Sequence, residues 1–218
     1  MRSLVEKASS GKPGEAFVLL GGKTAIAVSL TEETTDAVAS RMAELAAVAD
    51  LFEVRADFVR DLDLAALLKA RRKPILFTCR PESEGGRFPD RDHLARRHLL
   101  SEAVGRGFDL VDVEMRSGFA DVVAAKAGRG LVLSWHDFEG TPEDLDGIHA
   151  GMAAQHPDVV KIAVTARSVA DLGRLLAFAA RHAGRGPRLV ALAMGPLGVA
   201  SRILGGRTGA PFTFASPE

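Results

Sequence analysis

The sequence predicts an α/β fold, a (β/α)8 TIM barrel whose last helix is missing. Three observations carry that expectation. Eight short apolar runs rich in Val, Ile and Leu recur between residues 25 and 216. Helix-patterned, Ala/Leu-rich segments separate them. Charged or hydrogen-bonding residues sit at the end of nearly every run. Continuous apolar strands alternating with helices imply a parallel sheet with crossover connections. Eight such units match a closed barrel, with a doubly wound open sheet as the alternative.

The candidate strands are AIAVSL (25–30), LFEVRA (51–56), PILFTC (74–79), FDLVDVE (108–114), GLVLSW (130–135), DVVKIAV (158–164), RLVALAM (188–194) and PFTFAS (211–216). The helices between them carry start and stop signals. TDAVASRMAELAAVA places Val38, Met42, Leu45 and Val48 on one face. DRDHLARRHLLSEAVGRG opens on Asp and closes on Gly, and ARRK (70–73) reads as a helix C-terminus. TPEDLDGIHAGMAAQ offers Thr141 as N-cap with Pro142 at the first helical position. SVADLGRLLAFAARHAG has Ser168 as N-cap, Asp171 three residues on and Gly184 as a stop. Residues 1–24 fall outside the repeat and suggest an extension or a hairpin on the barrel floor. Residues 25–218 would be the catalytic barrel, ending directly after strand eight.

With 218 residues and 47% hydrophobic composition the chain can build one sizeable core. Lys plus Arg and Asp plus Glu both number 28, so a nucleic-acid partner is not expected. No apolar run reaches 18 residues, which excludes a helical membrane span from the expectation. The N-terminal stretch lacks a signal-peptide layout, and the single cysteine, Cys79, cannot form an internal disulfide, so a cytoplasmic location is expected.

A barrel builds its active site at the C-terminal ends of its strands. Strand one ends in Ser29. Strand two carries Glu53 and Arg55 on one face. Strand three leads into Arg80 and then Glu84. Strand four carries Asp112 and Glu114, strand five leads into His136 and Asp137, strand six holds Lys161, and Arg202 follows strand seven. Taken singly, each has an ordinary explanation: a paired strand-end couple, a lysine with its stem along apolar surface, a hydrogen-bonded structural histidine. Their convergence on one mouth is what points to chemistry. A desolvated lysine beside cationic neighbours can act as a nucleophilic amine and condense with a ketone. A histidine near neutrality can move the proton of the acidified carbon, and a carboxylate can fix its tautomer. Arginines clamp carboxylates. The substrate expected is a small, anionic, hydroxylated keto acid that loses a proton and water.

In the stretches FEVRADF, LFTCRPESEGG, LVDVE, LSWHDFEGTP, VVKIAV and MGPLGVASRI, in that order, the sequence resembles the type I 3-dehydroquinate dehydratases, the Schiff-base enzymes of the shikimate pathway. The resemblance covers nearly the whole chain from residue 25. It implies a (β/α)8 barrel, a homodimer, and conversion of 3-dehydroquinate to 3-dehydroshikimate and water, with no metal or organic cofactor. It implies Lys161 as the imine-forming amine, His136 as general acid and base, and Glu84 as the group orienting His136. Arg202 would hold the substrate carboxylate. Glu53, Arg55 and Arg80 would contact ring hydroxyls, with Ser29 at the mouth and Met194 lining the pocket. Asp112 and Glu114 are favoured as a supporting polar shell.

The family's closing Ser-Ala-Pro-Gly-Gln type loop has no counterpart in FTFASPE. A looser hold on substrate, and either truncation or continuation into a longer protein such as a shikimate dehydrogenase fusion, are therefore expected. The competing readings are a Schiff-base aldolase sharing Lys161, with GGRTG as a phosphate cradle, and a barrel left inactive by the absent lid. His93 and His98 lie five apart and do not form a helical ligand pair. His149, His156 and His182 are assigned to outer helices or their flanks.

Overall fold

The computed structural model describes residues 23–216. The hairpin expected within residues 1–24 therefore lies almost wholly outside the described residues, as do Pro217 and Glu218. The strands are β1 (Ala25–Leu30), β2 (Leu51–Arg55), β3 (Ile75–Thr78), β4 (Leu110–Glu114), β5 (Leu131–Asp137), β6 (Val159–Thr165), β7 (Arg188–Met194) and β8 (Phe212–Ala215). The connecting helices are α1 (Thr35–Leu45), α2 (Leu64–Ala70), α3 (His93–Arg106), α4 (Ala120–Lys126), α5 (Leu145–Ala153), α6 (Val169–His182) and α7 (Val199–Leu204). All eight strands pair in parallel, in the order β7-β6-β5-β4-β3-β2-β1-β8. This is the (β/α)8 barrel, with β7 and β8 as the two ends of the hydrogen-bonded ladder among the described residues.

The strand period divides the core in two. Phe52, Val54, Phe77, Val111, Val113, Leu133, Trp135, Val160, Ile162 and Val164 face outward and pack under the helices, where they meet Val38, Met42, Leu67, Leu100 and Phe178. Residues of the other parity fill the barrel: Ala27, Leu51, Leu76, Leu110, Val132, Val159, Val190 and Phe212 form a separate buried cluster. Each large aliphatic side chain in that plug contributes roughly 1.5–3 kcal/mol by leaving water. Two residues further along the same strands the inward positions turn polar: Ser29, Glu53, Thr78, Asp112, Ser134 and Lys161. The apolar floor thus sits directly beneath a charged layer.

Local signals place the ends of the helices. Ser168 and Asp171 form a reciprocal capping box at the start of α6. Gly107 stops α3 in the left-handed conformation. Two expectations fail here. Thr141 does not cap α5; its hydroxyl donates to the Thr165 carbonyl, and Asp144 caps the helix from Gly147 N–H. Val48 lies beyond the end of α1 and is exposed, so the buried stripe of that helix rests on Val38 and Met42.

Candidate functional site

Lys161 stands inside the barrel, 6% exposed. Its Nζ donates to Asp112 Oδ2 at 3.2 Å, lies 3.7 Å from Glu53 Oε1 and sits 4.4 Å from the centre of the Phe214 ring. The expected cationic neighbours are not the groups in contact: carboxylates and an aromatic face surround the amine. The reason is the parity of β2 and β4, which aims Glu53 and Asp112 at the same interior level as Lys161. Glu53 is held by the hydroxyls of Ser29 at 2.5 Å and Thr78 at 3.0 Å. Asp112 accepts from Ser134 Oγ at 2.6 Å and pairs with Arg80 Nη2 at 2.9 Å. Burial pushes the Asp112 carboxyl up, but the charges of Arg80 and Lys161 and the Ser134 hydrogen bond outweigh it and hold the group well below the usual carboxylate range.

Arg80 was expected on substrate hydroxyls. Its side chain is buried, with Nη1 on Glu114 Oε1 at 2.7 Å and Ser134 Oγ at 2.9 Å, and Nη2 on Asp112. Much of its donor fork is therefore committed to the protein. Arg55 pairs with Asp57, through Nε at 2.9 Å and Nη2 at 2.7 Å, rather than with Glu53. Asp57 also accepts from the backbone N–H groups of Arg80 and Arg87 and so pins the loop after β3.

That loop carries Glu84, whose Oε2 lies 2.8 Å from His136 Nδ1. Both are buried. Burial raises the Glu84 carboxyl to about 7. Burial, then the charges of Arg80 and Lys161, push the His136 imidazole well below its ordinary value. The pair therefore favours a neutral imidazole with Nε2 directed away from Glu84. His136 is two residues beyond Ser134, the register partner of Lys161, and so lies above the amine toward the mouth. Gly85 follows Glu84 at φ 75°, and a Cβ there would meet the Phe138 ring at 2.9 Å. The same ring stacks near His136, centroids 6.1 Å apart. The positive φ is what favours glycine at this turn, and any larger residue would also push the half-exposed ring aside.

Arg202, on α7, donates from Nη1 to the Ala193 carbonyl at 2.9 Å, which brings its guanidinium to the end of β7. Met194, the last residue of that strand, packs with Phe214 on the inner cluster. The structure thus brings Lys161, His136, Glu84, Ser29, Glu53, Arg80 and Met194 to the inside and upper end of the barrel, with Arg55 and Arg202 at its rim. Sequence reasoning left Asp112 undecided and missed Phe214, Asp57 and Arg96. For Asp112 the signal was present, since it shares parity with Glu114 on β4. His149 and His182 meet on the outer helices, rings 4.1 Å apart, away from this mouth. Among the described residues no three His, Cys, Asp or Glu are grouped to hold a metal ion.

A family model described as Type I 3-dehydroquinase matches residues 26–218. The chain belongs to the type I 3-dehydroquinase family. The 3-dehydroquinate dehydratase of Thermococcus gammatolerans is 44% identical over 177 residues, 78% of this chain and 79% of the relative. The bifunctional 3-dehydroquinate dehydratase/shikimate dehydrogenase of Arabidopsis thaliana is 35% identical, covering 77% of this chain and 29% of that protein. A crystal structure of the type I 3-dehydroquinate dehydratase from Clostridium difficile, with covalently modified comenic acid, matches with a TM-score of 0.80 at 25% identity, covering 90% of this chain and 85% of that one. As a type I 3-dehydroquinase the chain is a hydro-lyase of the shikimate pathway, acting on 3-dehydroquinate. The aldolase alternative loses its phosphate cradle. Gly205–Thr208 lies before β8, with Gly206 against Thr24, on the floor opposite the site.

Proposed function

We propose that Lys161 forms an imine with the ketone of 3-dehydroquinate and that His136 moves the protons of the ensuing dehydration. The observation that carries this is the amine of Lys161 held among Asp112, Glu53 and the Phe214 ring, with the His136–Glu84 pair above it. The sequence of bonds balances. His136, kept neutral by burial, accepts a proton as the lysine amine becomes free to add to the ketone. It returns that proton to the carbinolamine hydroxyl, which leaves as water and gives the iminium. The iminium acidifies the adjacent carbon, and His136 Nε2 takes that proton. The electron pair then expels the β-hydroxyl, which leaves as water with the proton from His136. Hydrolysis of the product imine frees 3-dehydroshikimate and the amine. Asp112, held ionised, is a fixed counter-charge to the iminium. Glu84 orients the Nδ1 side of the imidazole and faces the positive charge that appears there.

Arg202 is assigned to the substrate carboxylate, on the strength of its place at the end of β7. Glu53, Arg55, Arg80 and Ser29 are assigned to the ring hydroxyls, and Met194 to the pocket wall. A homodimer in the cytoplasm accords with the family. A dehydrogenase domain joined to the dehydratase, as in the bifunctional Arabidopsis relative, is the partner to look for in a longer form of this protein. The test of the reading is borohydride reduction in the presence of 3-dehydroquinate, followed by intact mass. One adduct of the reduced imine is expected on the wild type and none on Lys161→Ala. An adduct on the alanine variant overturns the assignment.

A further inference from the structure

Arg96 belongs to an outer helix, α3, yet it is 4% exposed. Its Nη1 donates to the Cys79 carbonyl at 3.1 Å and to Glu114 Oε2, and its guanidinium lies 4.7 Å over the Phe119 ring. The side chain therefore reaches across the end of β3 into the barrel mouth. From there an unbroken series of ion pairs leads to the amine: Arg96 to Glu114, Glu114 to Arg80, Arg80 to Asp112, and Asp112 to Lys161.

We propose that Arg96 is a positioning and charge-balancing residue for Lys161, acting through Glu114, Arg80 and Asp112; this rests on the imine reading above. The charge count makes the case. Facing Lys161 or linked to it are the carboxylates Glu53 on β2, Asp112 and Glu114 on β4, and the guanidinium of Arg80 after β3. The contacts from the other strands are uncharged: Ser134 on β5 through Asp112, Ser29 on β1 through Glu53, the Phe214 ring on β8, and Val190 as register partner on β7. Arg55 and Asp57 cancel each other. His136 and Glu84 pair with each other above the amine and are the same in every variant compared below. Without Arg96 the cluster holds three anions against two cations; with it the numbers are three and three. A buried cluster left one charge negative holds its protons harder. The proton it would hold is the one Lys161 must lose before it can attack a ketone. Arg96 also occupies Glu114 Oε2, which leaves Oε1 for Nη1 of Arg80 and keeps Nη2 on Asp112.

The experiment is the pH dependence of borohydride-trapped adduct formation with 3-dehydroquinate, read by intact mass for four variants beside the wild type. Arg96→Met should move the midpoint to higher pH by about one unit, the size of a single charge roughly 10 Å away at a protein-like dielectric. Glu114→Gln removes the opposite charge and should move it to lower pH. The double variant, balanced again, should return to the wild-type midpoint, and Arg96→Lys should keep it. A role confined to folding would lower the amount or rate of active protein with every midpoint unmoved. If Arg96→Met does not fold, Glu114→Gln and the double variant decide. Unmoved midpoints, or single variants that shift in the same direction, overturn the proposal while the imine reading stands. Failure of the wild type to give any adduct at any pH overturns the imine reading instead, and Arg96 with it.

Discussion

Two lysines of this protein are buried to the same degree and are put to different uses. Lys161 is 6% exposed and Lys126 is 5% exposed. Lys126 closes α4 below the barrel, where its Nζ donates to the Phe108 carbonyl at 2.6 Å ahead of β4. Burial lowers its ammonium to about 8. Lys161 sits inside the barrel between two carboxylates with a histidine above. Burial by itself therefore does not make a reactive amine. What separates the two is company: a fixed anion for the iminium and a proton carrier within reach. Lys126 satisfies a loop carbonyl that would otherwise be left without a donor at the start of a strand.

The comparison can be broken by exchanging the roles. Lys161→Ala should abolish both trapping and turnover, while Lys126→Met should keep the turnover of the folded protein within about twofold, because Lys126 lies below the barrel and its amine bonds the Phe108 carbonyl ahead of β4. Loss of turnover in the Lys126 variant with its fold intact would place that lysine in the mechanism. Next in size is His136→Ala. The imine should form more slowly but still be trapped on long incubation, because solvent can carry those protons, while the later proton transfer should fall by about 10²–10⁴-fold. Stopped trapping with normal turnover would reverse the assignment.

Glu84→Gln sharpens the contrast from the side of the proton carrier. Turnover should drop by about ten- to a hundredfold as the imidazolium loses its counter-charge. Stability should move the other way. A carboxyl raised to about 7 favours folding while protonated and disfavours it once ionised. The wild type and the variant should therefore melt alike near pH 4. The variant should gain, on the order of 1–3 kcal/mol, as pH rises from 4.5 to about 7, and hold that gain above it.

The smallest effect is on Lys126. Its lowered value means that the charged form costs folding energy, fully below pH 8 and less as pH rises toward 10.5. Wild-type stability relative to Lys126→Met should increase across that window, as seen in denaturant midpoints. A flat difference would mean that the amine is solvated in solution.

The barrel was legible because the strands carry two signals at once. AIAVSL and RLVALAM are the observed β1 and β7 to the residue, and the boundaries of the other six strands differ by one or two positions. The largest site difference is at β5, which runs on through Asp137, so that His136 is a strand residue rather than a loop residue. The meeting of His136 with Glu84 was legible only through the family resemblance, since 52 residues separate them. The surroundings of Lys161 were less so. Local spacing does not reveal that Asp112 and Glu53 reach one amine from two strands. Nor does it reveal that Arg96, on a helix with charges all around it, turns inward. Those contacts depend on barrel stagger and on the tilt of α3, which have no local code. The partner of Arg55 was not legible either: Glu53 and Asp57 both stand two residues away, and the turn after the strand end brings Asp57 to its guanidinium.

The turn at Gly85 has a consequence for how this sequence can drift. Its neighbour at the mouth is the half-exposed Phe138 ring, whose tip would have to move aside for any side chain at 85. The two positions are therefore epistatic. An exchange at 138 for a smaller residue removes the steric bar at 85, yet the positive φ still penalises any side chain there. The reverse path, changing 85 first, meets both obstacles at once. Substitution at 85 should be disfavoured on any background because of the backbone, and less so where position 138 is already smaller, so a library selected for turnover should hold few changes at 85, enriched among clones altered at 138.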